Sequence, residues 1–320
     1  MTGPRPAAPA ALSTWPEHLQ PGRAIEIAPG VTRVVAPNPG MMTGPGTNTY
    51  LLGSDRLALV DPGPIDDQHE RRLLEEAGDR LRWILVTHTH IDHSPLAAAL
   101  KDATGAEIVA FGPAPPAPPT VPGRKITHLD THDMSFAPDR LLADGDTLDT
   151  GEMLVAAVYT PGHTSNHLCF EIEGTGLLFS GDHVMSGSTV VIAPPDGDMA
   201  VYLESLEKVR SRRPRRIAPG HGDMIDDPGA VLDGYLRHRL EREAQVLAQL
   251  RAGDAGHGST GAGVVIDDLV AAIYVEVPKE LHPVARFSVW AHLRKLRAEG
   301  RARSDEPEDI DARWYLAARA

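Results

Sequence analysis

Three imidazoles and a carboxylate fall within six positions in Thr87-His88-Thr89-His90-Ile91-Asp92-His93. The segment follows an apolar run that starts at Trp83, a short buried strand. In extended chain the side chains of His88 and His90 point to the same side, because side chains alternate with period two. Two imidazoles on one side at that separation can grip one metal ion. Asp92 and His93 come where the chain turns towards a helix and can reach a second ion nearby. The alternative is a polar loop rich in histidine, and the strand-to-helix context weighs against it. Three further residues of ligand type each sit beside glycine after an expected strand, where the backbone can turn tightly. They are His163 in Thr160-Pro161-Gly162-His163-Thr164, Asp182 in Ser180-Gly181-Asp182, and His221 in Pro219-Gly220-His221-Gly222. His167 and His183 lie close to these positions and are candidate proton donors to a leaving group, with a supporting or surface role as the plainer reading.

The elements that must position these residues alternate between strand and helix. Ala24–Ala28, Val31–Ala36, Thr49–Gly53 and Leu57–Asp61 are short apolar runs separated by turns, as in a meander. Residues 65–78 read as a helix with Leu73 and Leu74 on its apolar stripe. Ser94 before Pro95 suits an N-cap with proline at the first helical position, giving a helix to about Leu100. Glu107–Phe111 is the next strand. Pro113–Pro122 cannot form helix or central strand, so residues 112–140 read as an exposed loop or lid. His128 and His132 lie in it, as part of a solvated lid. Strands resume at Leu154–Thr160, His167–Glu173 and Leu177–Ser180, with a helix at Met199–Arg210 and a strand at Arg216–Ala218. After Asp227 the character changes. Helices over 229–252, 264–275 and 278–299 precede a hairpin from Arg301–Ser304 and Arg313–Leu316, the order of a winged helix.

Composition narrows the classes. The 320 residues are 42 % hydrophobic and 23 % charged, a globular balance, and no apolar run approaches the roughly 18 residues of a membrane span. Fifteen histidines against the single Cys169 exclude an internal disulfide framework and a zinc ribbon, and they direct any transition metal to imidazole and carboxylate. Cys169 itself reads as a small buried apolar residue. The net charge of −13 disfavours non-specific nucleic-acid binding over the whole surface. Residues 1–22, rich in Pro and Ala, lack the charged start and apolar core of a signal peptide and read as a mobile arm of a cytoplasmic chain.

In the order His88, His90, Asp92, His93, His163, Asp182 and His221, the sequence resembles the dinuclear hydrolases of the metallo-β-lactamase superfamily. Thr47-Asn48-Thr49-Tyr50-Leu51-Leu52-Gly53, the 160–164 segment and the C-terminal helices resemble its beta-lactamase-like protein 2 branch, over roughly residues 24–318. The resemblance implies a four-layer αββα sandwich over 23–228, with the site at one edge between the sheets, and a winged-helix-like domain over 229–320. It implies that His88, His90 and His163 hold one metal, that Asp92, His93 and His221 hold the other, and that Asp182 bridges them. Asp61, in Val60-Asp61-Pro62-Gly63, matches the acidic motif that braces the metal loop.

Five histidines and two aspartates suit two Zn²⁺ ions, and iron and manganese accept the same donors. A metal-bound hydroxide would attack an electrophilic carbonyl or phosphorus, with Asp92 orienting it. Two ions would move the charge from −13 to about −9, or about −10 with a bridging hydroxide. The substrate expected first is a small ester or thioester. The alternative is an endoribonuclease on single-stranded RNA, for which Arg210–Arg216 and Arg286–Arg303 offer basic runs. A β-lactamase is disfavoured, since Asp182 stands where one class places a thiolate. A metal-dependent DNA-binding regulator is the non-enzyme reading. The tail is expected to pack on the catalytic domain and shape the substrate entrance, or to form a homodimer.

Overall fold

The computed structural model describes residues 15–116, 131–255 and 263–317. Strands β1 (Ala24–Ala28), β2 (Val31–Val35), β3 (Asn48–Leu52) and β4 (Leu57–Val60) form the expected antiparallel meander. Parallel strands β5 (Leu81–Leu85), β6 (Glu107–Ala110) and β7 (Arg140–Leu141) extend it to seven in sequence order. Helices α1 (Asp67–Ala77) and α2 (Ala97–Thr104) make the crossovers into β5 and β6. The second sheet has the order β12-β11-β10-β9-β8, from β8 (Thr147–Asp149), β9 (Leu154–Tyr159), β10 (Leu168–Ile172), β11 (Leu177–Gly181) and β12 (Arg216–Pro219). β11 and β12 are parallel and joined through α3 (Met199–Arg212).

Alternation along these strands builds three apolar layers. Tyr50, Leu52, Ala58 and Val60 face Phe170, Ile172 and Phe179 between the sheets. Leu51, Leu57 and Leu59, one position out of phase, pack with Leu73 of α1 and Leu100 of α2. Cys169 and Leu178 pack on the opposite outer face with Tyr202, Leu206 and Val209 of α3. Helix, sheet, sheet, helix is therefore the layer order, as expected. The carboxylate of Asp66 caps α1, accepting from the amides of Gln68 and His69 at 3.0 and 2.8 Å, and Asp198 caps α3 in the same way.

The C-terminal unit comprises α4 (Pro228–Ala255), α5 (Ile266–Ile273), α6 (His282–Ala298) and a hairpin of β13 (Ala302–Arg303) and β14 (Tyr315–Leu316). Its core gathers Leu250, Leu269, Val289, Leu293 and Trp314.

Several expectations need correction. Of the arm read over 1–22, residues 17–19 form a 3₁₀ turn with Leu19 buried, and Arg33 donates to the His18 carbonyl at 2.8 Å. Residues 1–14 lie outside the described residues. Ser94 does not cap α2. Its hydroxyl points back to the His90 carbonyl at 3.4 Å, and the helix begins only at Ala97. Short β7 begins at Arg140, the end of the expected loop, and β8 falls in a stretch for which no element was expected. His128 and residues 117–130 of the proline-rich insert lie outside the described residues.

Candidate metal centre

Each expected metal ligand, and Asp61 with them, follows the C-terminal end of a strand. Asp61 follows β4, His88–His93 follow β5, His163 follows β9, Asp182 follows β11 and His221 follows β12. The two sheets are pinned together at this edge. The Asn48 side-chain amide donates to the Pro219 and Gly222 carbonyls at 2.9 Å, and the Tyr50 hydroxyl donates to Pro219 at 2.7 Å. Two glycines leave room for the cluster. A Cβ on Gly181 (φ +47°) would lie 2.5 Å from Thr87 Oγ1, and one on Gly220 would lie 2.7 Å from Asp182 Oδ1.

The ligand atoms converge in two groups. His88, His90, His163 and Asp182 form one, Asp92, His93 and His221 the other, with the atoms in each within 4.8 Å of one another. His90 Nδ1 lies 3.0 Å from His88 Nε2 and 3.1 Å from His163 Nε2. His221 Nε2 lies 3.2 Å from both His93 Nε2 and Asp92 Oδ2. These separations are near the about 3.3 Å edge of a tetrahedron with metal–nitrogen bonds of about 2.0–2.1 Å. Asp182 lies between the groups: Oδ1 is 3.4 Å from both His93 and His221, and Oδ2 is 3.7 Å from His163. Oδ1 is buried with no hydrogen-bond donor, which is costly for a carboxylate oxygen unless a cation meets it.

The surrounding groups set the imidazole tautomers. His163 Nδ1 donates to the Val191 carbonyl at 2.8 Å, freeing Nε2. The Thr87 hydroxyl donates to Asp61 Oδ2 at 2.8 Å and so accepts from His88 Nδ1 at 3.0 Å, freeing Nε2 of that ring. Asp61 Oδ2 also accepts from His93 Nδ1 at 2.9 Å, and Oδ1 accepts from the Thr87 amide at 2.8 Å. Asp61 is held at φ +53° to do this. Burial keeps His88, His90 and His163 below the ordinary imidazole range, in the neutral form a ligand needs. Burial also acts on His93 and His221, but the facing carboxylates of Asp182 and Asp92 overcome it and raise both, His221 to about 9. Asp182 and Asp92 resist the upward pull of burial and are held low by His221 and His93. A donor set of nitrogen and oxygen, with the tautomers of His88, His93 and His163 fixed from behind, fits divalent ions.

A cavity of about 510 Å³ opens onto both groups. His90, Asp92, His163, Asp182 and His221 contribute to its surface, while Met42, Pro115, Met134, Met185, Val190, Val191 and Pro194 supply apolar walls. Val284 of α6 also reaches it, so the C-terminal unit shapes the entrance.

The structure separates the remaining sequence candidates. His167, expected as a proton donor, is fully buried behind His88, with ring centroids 5.1 Å apart and Nδ1 on the Thr160 hydroxyl. It does not reach the cavity wall, so a leaving group there is beyond it. His183 is buried against Tyr202. The Cys169 thiol is buried and pushed up to about 12 by that burial, away from both ligand groups. His132, read as part of a solvated lid, instead pairs with His90 through a β-bridge, lines the cavity, and sits 3.5 Å from Asp196. Proline-rich surroundings concealed that contact.

Residues 42–221 match the metallo-beta-lactamase superfamily, and residues 266–314 match the beta-lactamase associated winged helix domain. The chain is 32 % identical over 299 residues to the beta-lactamase-like protein 2 homolog of Drosophila melanogaster, covering 89 % of this chain and 94 % of that protein. It is 30 % identical over 300 residues to the atrochrysone carboxyl ACP thioesterase of Aspergillus chevalieri, covering 91 % and 88 %. Among solved structures, a beta-lactamase domain protein from Burkholderia ambifaria superposes with a TM-score of 0.71 at 21 % identity, covering 95 % of each chain.

Proposed function

The chain belongs to the metallo-β-lactamase superfamily, in the branch that ends in a winged helix, and is a hydrolase; from that premise we propose that it cleaves a small ester- or thioester-type acyl substrate with two zinc ions. His88, His90 and His163 would hold one ion, Asp92, His93 and His221 the other, and Asp182 both. Bound ions would supply a nucleophile from water near neutral pH and neutralise the charge that develops on the substrate oxygen. The observation that carries the reading is the cavity: apolar walls lead directly to the face where the two ligand groups meet.

The chain's own residues do the rest. Apolar walls of Met134, Met185, Val190 and Val191 bind an acyl group and exclude bulk water. Asp92, half-buried in the cavity lining, accepts a hydrogen bond and orients the attacking water. A thiolate leaves without a proton, so a thioester needs no general acid. A relative named as a thioesterase supports the same class.

The RNA alternative rests on the two basic runs, and the chain's own carboxylates occupy much of both. Arg210 pairs with Glu207 and Asp233, Arg212 with Glu171, and Arg216 with Asp226. In the second run Arg286 pairs with Asp267, Arg294 with Glu308, and Lys295 and Arg301 with Glu243.

Zinc-loaded protein assayed on acyl thioesters, aryl esters, lactones, a cephalosporin reporter and a single-stranded RNA oligomer tests the reading. The expected result is fastest turnover of a thioester or ester. Faster cleavage of RNA or the cephalosporin overturns it.

A further inference from the structure

The loop between β11 and α3 carries Asp182 at its start and supplies Met185, Val190 and Val191 to the cavity wall. Through the Val191 carbonyl it also fixes the tautomer of His163. Helix α4 grips this loop from behind. The Tyr235 hydroxyl accepts from the Met185 amide at 2.9 Å and directs its proton at the Met185 and Ser188 carbonyls. An Arg239 Nη2 N–H donates to the Val190 carbonyl, one residue from the carbonyl that orients His163. Alternate loop residues are wedged on both sides. Val190 and Ile192 pack with Tyr235 and Leu236, while Val191 and Ala193 pack on the C-terminal core.

Arg239 is an expensive way to hold a loop. The residue is 2 % exposed, its guanidinium lies over the Tyr202 ring at 5.4 Å, and Nε has no acceptor. No carboxylate pairs with it among the described residues. A guanidinium buried without a carboxylate destabilises the fold, and an apolar side chain of similar volume would be tolerated at least as well. What Arg239 adds is a directed hydrogen bond to the segment behind His163.

We propose that Arg239, with Tyr235, is a positioning residue of the metal centre: it holds the 183–193 loop so that the Val191 carbonyl presents His163 Nε2 to an ion. This rests on the metal-binding reading above. The C-terminal unit is then part of the active site rather than a separate module.

The test compares the full-length wild type with Arg239→Met, Arg239→Lys and Tyr235→Phe. Val246→Ala, which opens a cavity in the C-terminal core but leaves the hydrogen bonds of Arg239 and Tyr235 to the loop in place, is the stability control. Ion affinity is read by competition with a chromophoric chelator, ligand geometry by the visible spectrum of the cobalt-substituted protein, and stability by the thermal midpoint. Arg239→Met is expected to keep or raise the midpoint while weakening one ion about 10–100-fold and altering the cobalt spectrum. Arg239→Lys should recover part of the affinity, and Tyr235→Phe should shift both readouts less and in the same direction. Wild-type affinity and spectrum in Arg239→Met and Tyr235→Phe would overturn the proposal. So would Val246→Ala weakening the ion as much as Arg239→Met. A wild type that takes up no zinc or cobalt would instead overturn the metal-centre reading on which the proposal stands.

Discussion

Asp61 and Asp182 carry the same side chain and meet different demands. Asp61 is a pure acceptor for three donors, the Thr87 amide, the Thr87 hydroxyl and His93 Nδ1, all within 2.9 Å. Asn keeps its size and tolerates φ +53°, but turns one acceptor into a donor. Asp61→Asn is therefore expected to weaken ion binding about 10–100-fold with little change in fold; a chelator-competition titration that returned the wild-type affinity would remove Asp61 from the metal loop. On the proposed assignment, in which Asp182 serves both ions, Asp182→Ala takes a ligand from each. It is expected to halve the zinc content measured by elemental analysis and to lower kcat/KM for the best substrate by more than about 100-fold. If the variant kept wild-type turnover, the dinuclear mechanism would be wrong. The seven positions that converge here were legible from two signals, four ligand-type residues crowded into 88–93 after a strand, and His163, Asp182 and His221 each beside glycine after a strand. His132 and Arg239 were not. The first reaches the site through backbone pairing across an insert. The second is one arginine among several along α4, and nothing in its neighbours marks it as buried.

The elements were legible in proportion to their length and periodicity. The meander, α3 and the three C-terminal helices fall within a few residues of expectation, because their apolar spacing matches the faces they bury. β7 and β8, two and three residues long, have no period to read. The start of α2 was misplaced because the chain from Asp92 to Leu96 is shaped by the metal loop, where the His90 carbonyl accepts from the His93 and Ser94 amides. Helix α6 teaches a related lesson. Its basic residues suggested a nucleic-acid face, yet Phe287, Val289, Trp290, Ala291, His292 and Leu293 are all buried, and Arg286, Arg294 and Lys295 are held by carboxylates. Releasing those arginines to phosphate would break existing pairs. The full chain is accordingly expected to show no salt-dependent binding of a single-stranded RNA or a DNA duplex in fluorescence anisotropy at low salt. A binding curve that weakens steeply with added salt would restore the nucleic-acid reading.

At the scale of the whole molecule, α4 joins what the sequence divided at 228/229. Its first half, with Leu232, Tyr235 and Leu236, closes the core on the outer face of the second sheet, and its second half, with Val246, Leu247 and Leu250, belongs to the C-terminal core. Burial across the molecule extends to histidines outside the metal centre, and these give the fold a pH dependence of definite sign. His69 is buried beside the Thr49 hydroxyl, and that burial pushes it down to about 4. His292 is buried with neither ring nitrogen hydrogen-bonded. Burial, then the nearby Arg239 and Lys295 charges, pushes it down to about 3. The unfolded chain takes up these protons near the ordinary value of 6.5 and the folded chain only well below it. Their contribution is therefore complete above 6.5 and is lost as pH falls towards 4 and 3. At pH 5 each histidine should have cost the fold about 2 kcal/mol relative to neutral pH, whatever its folded value below 5. Urea unfolding of wild type and His292→Leu at pH 7.5 and pH 5, both with chelator, isolates one of them. The metal ligands titrate alike in both proteins and cancel in the difference. The stability lost between the two pH values should be smaller in His292→Leu by about 2 kcal/mol. An equal loss in the two proteins would mean that the C-terminal core holds His292 protonated, against both its burial and the cations around it.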